Sequence, residues 1–126
     1  MLTKGFKDLL AEANAVVDVI AVHDAVDLHG GDEVVFVDVR EPEERAKGTI
    51  PDSVHAPRGF IEFIADPQGP MHNSAFASGK RLILFCGTGA RSAMAAKTLD
   101  EMGFDNVVNM AGGIQAWVRA GGAVTR

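Results

Sequence analysis

The sequence contains one cysteine, no tyrosine and no long apolar run, and these shortages exclude several classes of protein. A single cysteine cannot form an internal disulfide or a zinc site built on paired cysteines. The longest unbroken apolar run, Leu82–Cys86, is far too short to cross a bilayer. Residues 1–8 also lack the apolar stretch of a signal peptide. We therefore expect a cytoplasmic protein with no membrane partner, whose one thiol stays reduced and needs an explanation.

Acidic side chains dominate the charge of the chain, but they are unevenly distributed. The 126 residues carry a formal net charge of -5, which argues against a nucleic acid as partner. Residues 1–44 hold eleven acidic and three basic side chains, whereas residues 45–126 hold six acidic and nine basic ones. A small anionic ligand would therefore be attracted to the second part of the chain.

Apolar patterns typical of strands and of helices alternate along the chain. The segments with strand patterns are 16–20, 34–39, 54–56, 81–86 and 107–110. The segments with helical patterns are 4–14, 22–28, 41–47, 58–66, 90–102 and 113–120, and residues 67–79 form one long loop. This alternation predicts an α/β domain, with three α/β/α layers around a central, mainly parallel sheet of about five strands. We expect residues 1–15 to be a helical extension and residues 16–126 to be a single domain.

The lone cysteine stands at the end of the strongest predicted strand, where ligands bind in folds of this class. Cys86 is followed by Gly87–Ala90 and then by Arg91 and Ser92, which already belong to a predicted helix. The glycines let the backbone curl around the thiol, so that successive N–H groups can point at the sulfur. The start of the helix adds unpaired donors. Such surroundings lower a thiol pKa below its ordinary value of ~8.5, which predicts a thiolate nucleophile rather than an inert buried cysteine.

Basic and hydroxyl side chains near Cys86 are candidates for binding a ligand. Arg91 is always cationic and is expected to hold the anionic part of a sulfur donor. Arg58 directly follows Pro57 and either faces the same pocket or lies on the surface. The hydroxyl groups of Thr88 and Ser92 are either donors to the ligand or parts of a turn and a helix cap.

Three segments, in the same order and spacing, resemble the rhodanese-type sulfurtransferases. The stretch Cys86–Ser92 resembles the C-x-x-G-x-R-S loop that forms the active site of that family. Residues 37–44 and 48–57 are similar to its D-V-R-E-x-x-E and G-H-I-P-G-A segments, and residues 111–117 resemble its closing G-G-x-x-x-W element. The resemblance spans roughly residues 16–122 and implies the rhodanese-like fold.

The resemblance also implies a double displacement with no metal and no cofactor. The Cys86 thiolate takes a sulfane sulfur from a small anionic donor such as thiosulfate, and the resulting persulfide passes it to cyanide, a thiol or a protein acceptor. Asp38 and Arg40 match family positions that support the end of a strand. The residues expected to bind the substrate are Gly87, Thr88, Gly89, Ala90, Arg91, Ser92 and Arg58.

One departure from the family pattern concerns the sulfur donor. Gly87 stands where members that use thiosulfate often carry arginine, which argues against thiosulfate as the natural donor.

A cysteine phosphatase of this fold would place one more residue between Cys86 and Arg91 than the four present. A dinucleotide-binding G-x-G-x-x-G turn would need glycine where Ser92 stands. A persulfide carrier or a rhodanese-like binding module would share the same chemistry and remains an alternative.

Overall fold

A computed structural model describes residues 1–126 as a five-stranded sheet in which all paired neighbours are parallel. The strands follow the order β1-β5-β4-β2-β3 across the sheet. Their bounds are β1 Asp18–Ile20, β2 Val34–Asp38, β3 Val54–His55, β4 Arg81–Phe85 and β5 Val107–Met110. The predicted α/β class and the sheet of five parallel strands are confirmed.

Helices connect the strands and cover both faces of the sheet. The α-helices are α1 Phe6–Val16, α2 Val22–Leu28, α3 Pro42–Ala46, α4 Ile61–Ala65, α5 Ala90–Glu101 and α6 Gly113–Arg119. None of these helices combines the length and the apolar character that a membrane span requires. Two further segments, Arg58–Phe60 and Ser74–Ala77, are short 3-10 helices.

Several predicted segments differ in detail from the observed ones. The first strand begins at Asp18 rather than at residue 16, because α1 continues through Val16. The predicted helix over 58–66 is a 3-10 turn followed by α4. The predicted loop 67–79 contains the 3-10 helix Ser74–Ala77, which begins where Asn73 Oδ1 accepts a hydrogen bond from the Ala75 amide at 2.9 Å. Such side-chain caps stabilise a turn that has no apolar periodicity to reveal it.

Alternation along β4 divides the core into two halves. Leu82, Leu84 and Cys86 lie in the cluster that includes residues of α4 and α5, whereas Ile83 and Phe85 lie in the cluster that includes residues of α2 and α6. This is the period-two pattern expected of a strand buried on both faces. Cys86 therefore leaves the sheet on the side covered by α5.

Helix α1 packs against α5. Its one fully buried side chain is Ala13, while Phe6, Leu9 and Val16 stay half-exposed. A small buried residue such as Ala13 lets two packed helices approach closely. The division of the chain at residue 15 stays a prediction.

Candidate active site

The loop between β4 and α5 wraps around the sulfur of Cys86. The Gly89 N–H donates to Cys86 Sγ at 3.0 Å, and Ser92 Oγ lies 3.4 Å from the same atom. Gly89 has a φ of +110°, a left-handed conformation that favours glycine and lets the chain turn back over the thiol. Cys86 is only 1 % exposed, so its sulfur lies beneath the loop rather than on its rim.

The pKa of the Cys86 thiol reflects two opposing effects. Burial raises the pKa, because a thiolate loses its hydration there. The amides of Ser92, Gly89 and Thr88, with the Ser92 hydroxyl group placed close to the sulfur, outweigh burial. The pKa of Cys86 therefore lies below its ordinary value, which makes the thiolate more available near neutral pH.

The start of α6 holds the outer side of the loop. The Ile114 N–H donates to the Cys86 carbonyl oxygen at 2.8 Å, and the Gln115 N–H donates to the Gly87 carbonyl oxygen at 3.2 Å. A Cβ atom on Gly113 would lie 2.5 Å from the Gly87 carbonyl, so only glycine permits this approach. With these carbonyl groups bound on the α6 side, the loop is held in the conformation whose amides face the sulfur.

Arg91 is already paired with a carboxylate. Its Nη1 and Nη2 atoms donate to Glu44 Oε1 and Oε2 at 2.7 and 2.9 Å, a bidentate contact between α5 and α3. Hydrogen bonding by Arg91, then by the Glu41 amide, and then the charge of Arg91 lower the pKa of Glu44 to about 2 despite some burial. Hydrogen bonding by Glu44 raises the pKa of Arg91, and the negative charges of Glu44 and Cys86 add to this effect. The cation predicted to bind a donor is thus neutralised by a residue that sequence reasoning missed.

Asp38 and Arg40 form a buried pair at the end of β2. The fully buried Asp38 carboxylate accepts hydrogen bonds from Arg40 Nε and Nη2 at 3.0 Å and from Thr49 Oγ1 at 2.8 Å. Burial raises the pKa of Asp38, but these hydrogen bonds outweigh it and leave the pKa below its ordinary value. Arg40 also donates to the Gly48 carbonyl oxygen at 2.7 Å. The pair therefore fixes the segments on either side of α3, the helix that carries Glu44.

Arg58 makes its contacts away from the loop. Its Nη2 atom donates to Thr98 Oγ1 at 3.2 Å, and its Nη1 atom lies 3.8 Å from Glu62 Oε2. Thr98 is about 12 Å further along α5 than Ala90, at 1.5 Å per residue. These contacts do not bring the Arg58 guanidinium together with the other predicted site residues.

Asn109 is a second residue of the site that sequence reasoning missed. It is 5 % exposed on β5, where its Oδ1 atom accepts from the Ser92 hydroxyl at 2.6 Å and its Nδ2 atom donates to the Gly89 carbonyl oxygen at 3.1 Å. The available signal was an amide side chain within an apolar strand, a position where asparagine is disfavoured. By contrast, the predicted residue Thr88 is exposed and contributes its amide to the sulfur. The remaining loop residues, Gly87 and Ala90, are half-buried, and Ala90 begins α5.

A cleft of about 590 Å³ opens beside the loop. Gly87 contributes to its wall, together with the basic side chains of Arg40, Lys47 and Arg119 and the acidic Glu44. The three cations and one carboxylate leave this cleft positively charged, although Arg40 and Glu44 are already paired. An anion approaching the loop from this side is therefore attracted.

Comparisons with known proteins agree with this fold. The family model of the rhodanese-like domain matches residues 21–120. A protein named sulfurtransferase from Allochromatium vinosum is 36% identical over 90 residues, which cover 71% of this chain and 77% of that protein. A rhodanese-related protein from Thermoplasma volcanium has a crystal structure that is 28% identical, with a TM-score of 0.69, covering 86% of this chain and 97% of the other.

A further solved structure is similar over nearly the whole chain. It is a protein of unknown function from Rhodopseudomonas palustris, described as a possible tyrosine phosphatase. It is 41% identical, with a TM-score of 0.94, and the match covers 99% of this chain and 97% of the other. Because the family model covers most of this chain and the parallel sheet is shared, the chain belongs to the rhodanese-like domain family.

Proposed function

We propose that the protein is a sulfurtransferase in which Cys86 carries the transferred sulfur as a persulfide. The observation that carries this proposal is the set of loop amides, from Thr88, Gly89 and Ser92, that converge on one buried sulfur atom. Relatives named as sulfurtransferases support sulfur transfer in general. Fixed amides stabilise negative charge on sulfur without reorganising during the reaction.

The reaction consists of two displacements that need no oxidant. The Cys86 thiolate attacks the outer sulfur of thiosulfate, the S–S bond of the donor breaks, and sulfite leaves with the bonding electron pair. The enzyme then holds a Cys86 persulfide anion. A cyanide ion or a thiolate attacks the terminal sulfur, forms a bond to it, and the Cys86 thiolate leaves.

The charges around the loop bear on the choice of donor. Glu44 occupies the bidentate face of Arg91, so the sulfonate end of thiosulfate has to displace a carboxylate or bind elsewhere. Lys47 and Arg119 line the adjacent cleft, and neither of them forms an ion pair with an acidic side chain. Thiosulfate is therefore proposed as a donor that the site accepts, and an organic persulfide is the alternative donor that avoids this competition.

The mass of the intact protein tests the proposal. Incubation with thiosulfate should add one sulfur atom, and cyanide should then remove it. Cys86→Ser is the matched control, because it replaces only the sulfur, and it should neither gain nor lose mass. Labelling that persists in Cys86→Ser, or no labelling of the native protein by thiosulfate or by an organic persulfide, would contradict the proposal.

A phosphatase is the second candidate, favoured by the description of the Rhodopseudomonas palustris protein. Cysteine phosphatases of this fold use a wider loop, whereas four residues separate Cys86 from Arg91 here. Arg91, which would hold the phosphate, is bound to Glu44. An aryl phosphate therefore should not be hydrolysed; hydrolysis that disappears in Cys86→Ser would favour the phosphatase instead.

A carrier differs from an enzyme only in its rate of turnover. Steady-state production of thiocyanate from thiosulfate and cyanide measures that rate directly. Repeated turnover is expected for an enzyme, whereas a single transfer per molecule would identify a carrier that hands its sulfur to a protein acceptor.

A further inference from the structure

Asn109 is a polar side chain within the apolar sheet, and its contacts reach the reactive sulfur through Ser92. It pairs in register with Leu84 of β4 and Val19 of β1, and it is 5 % exposed. Its Nδ2 atom donates to the Gly89 carbonyl oxygen at 3.1 Å. This contact fixes the orientation of the amide, because a flipped amide would bring two carbonyl oxygens together. The Oδ1 atom of Asn109 therefore faces Ser92.

The Ser92 hydroxyl has one hydrogen and three acceptors within reach, one of which is the Gly89 carbonyl oxygen at 3.3 Å. Its Oγ atom lies 2.6 Å from Asn109 Oδ1 and 3.4 Å from Cys86 Sγ. A hydroxyl donates only one hydrogen, so the thiolate and the amide oxygen cannot both receive it. If the hydrogen turned towards the sulfur, two buried oxygens would face each other at 2.6 Å with no hydrogen between them. The shorter contact therefore keeps the Ser92 hydrogen directed at Asn109 Oδ1.

We propose that Asn109 is a positioning residue that withdraws the Ser92 hydrogen from Cys86, so that the loop amides alone hold the thiolate. This role deepens the proposed sulfur transfer and rests on it. The intrinsic reactivity of a thiolate falls as its pKa falls, with a Brønsted coefficient of about 0.4–0.5. A thiolate that lacks the hydroxyl donor is therefore a stronger nucleophile towards sulfane sulfur. Asn109 sets a balance between how much of the thiol is ionised and how fast the ionised form attacks.

The charged groups around the loop stay the same when Asn109 is changed. They are Arg91 from α5, its partner Glu44 from α3, the Asp38–Arg40 pair at the end of β2, and Lys47 and Arg119 of the adjacent cleft. None of them forms a hydrogen bond with Asn109 or Ser92. Because Asn109 also donates to the Gly89 carbonyl oxygen, the competition for the Ser92 hydrogen is reported by the part of the pKa change that disappears when Ser92 is replaced as well.

A double-mutant cycle over Asn109→Ala and Ser92→Ala tests the proposal. The readout is the pH dependence of the alkylation of Cys86 by iodoacetamide, which gives the pKa of the thiol and the rate of the thiolate. Ser92→Ala alone should leave the pKa within about 0.3 unit, since the hydroxyl does not serve the sulfur. Asn109→Ala should free the hydroxyl to donate to the charged sulfur in preference to the neutral Gly89 carbonyl oxygen at 3.3 Å. This should lower the pKa by about one unit and slow the thiolate about threefold. The double variant should return to the native values.

Two results would overturn the proposal. One is a rise of about one unit in the pKa of Ser92→Ala, which would mean that the hydroxyl already donates to the sulfur. The other is an unchanged pKa in a folded Asn109→Ala protein. If Asn109→Ala does not fold, the titration of Ser92→Ala decides the question alone. Alkylation reads the thiol itself, so this experiment can fail while sulfur transfer holds, and the mass measurement can fail while Asn109 acts as proposed.

Discussion

The two sides of the Cys86 loop are built from different kinds of group. On the sulfur side, main-chain amides reach a side chain that is 1 % exposed. On the entrance side, Arg91 and Glu44 are 43% and 38% exposed, and Glu44 lines a cleft that contains further charges. Main-chain groups keep fixed positions and are little affected by salt, whereas exposed charges are mobile and screened. Holding the sulfur and choosing the donor can therefore be altered separately.

Gly113→Ala should disrupt the amide contacts on the sulfur side and have the largest effect on sulfur loading. A Cβ atom at this position would lie 2.5 Å from the Gly87 carbonyl, so the loop has to move. Its amides then no longer point at the Cys86 sulfur. We expect sulfur loading to slow roughly a hundredfold, the scale on which a lost oxyanion donor acts. The rate of persulfide formation, followed by intact mass, measures this loss.

Gly121→Ala is the matched control for this substitution. Gly113 and Gly121 both have positive φ, +62° and +86°, so alanine strains the backbone at both positions. No atom lies within 4 Å of a Cβ atom at Gly121. Equal loss of sulfur loading in the two variants would show that backbone strain, rather than the contact with the loop, is responsible.

Glu44→Gln should strengthen the binding of thiosulfate on the entrance side, because it frees Arg91. Without its carboxylate partner the guanidinium can hold the sulfonate of thiosulfate, so KM for thiosulfate should fall roughly tenfold while kcat changes little. Steady-state kinetics with cyanide as acceptor measure both constants. Glu43→Gln removes the same charge from an exposed neighbour on α3. A similar fall in KM for both variants would mean that net charge, not the release of Arg91, controls the donor.

The same two sides differ in how far the sequence predicts them. The sheet and the position of Cys86 follow from local patterns, because β4 is a continuous apolar run and the cysteine stands at its end. The pairing of Arg91 with Glu44 joins residues that are 47 positions apart. It depends on how α3 and α5 face each other, which no local pattern encodes.

The contact between Asn109 and Ser92 was out of reach for a similar reason. It depends on the register that places Asn109 beside Leu84, two residues before the cysteine. The strand pattern of residues 107–110 predicted the strand correctly but not its neighbour or its register. An asparagine in an apolar strand is a signal of a buried hydrogen bond, but the sequence does not name the partner.

The ion pair between Glu44 and Arg91 should have a smaller effect, which is on the stability of the fold at acid pH. The pKa of Glu44 is lowered from 4.5 to about 2, chiefly by hydrogen bonding from Arg91. A lowered pKa stabilises the fold above about pH 4.5, and this contribution is lost as the pH falls towards 2. Because the pair is partly exposed, we expect less than about 1 kcal/mol in the free energy of unfolding.

Urea unfolding of the native protein and of Glu44→Gln measures this contribution. The difference in the free energy of unfolding between them should shrink as the pH falls from neutrality towards 2. A difference that stays constant across that range would show that the Glu44 charge does not stabilise the fold through Arg91.

Arg58→Ala should have the smallest effect on sulfur transfer. The Arg58 side chain contacts Thr98 and Glu62 rather than the loop, so both KM for thiosulfate and kcat should stay within about twofold of the native values. The kinetic assay used for Glu44→Gln serves here as well. A large rise in KM would restore Arg58 to the substrate site.

Direct titration of the Cys86 thiol tests most sharply whether the loop amides keep this sulfur ionised. The chain contains one cysteine and no tyrosine, so the change in ultraviolet absorbance on ionisation reports Cys86 alone, with Cys86→Ser as the blank. The thiol should ionise at a pH clearly below the ~8.5 of a free cysteine, at low and at high salt alike. A pKa at or above that value would contradict the role assigned to the amides.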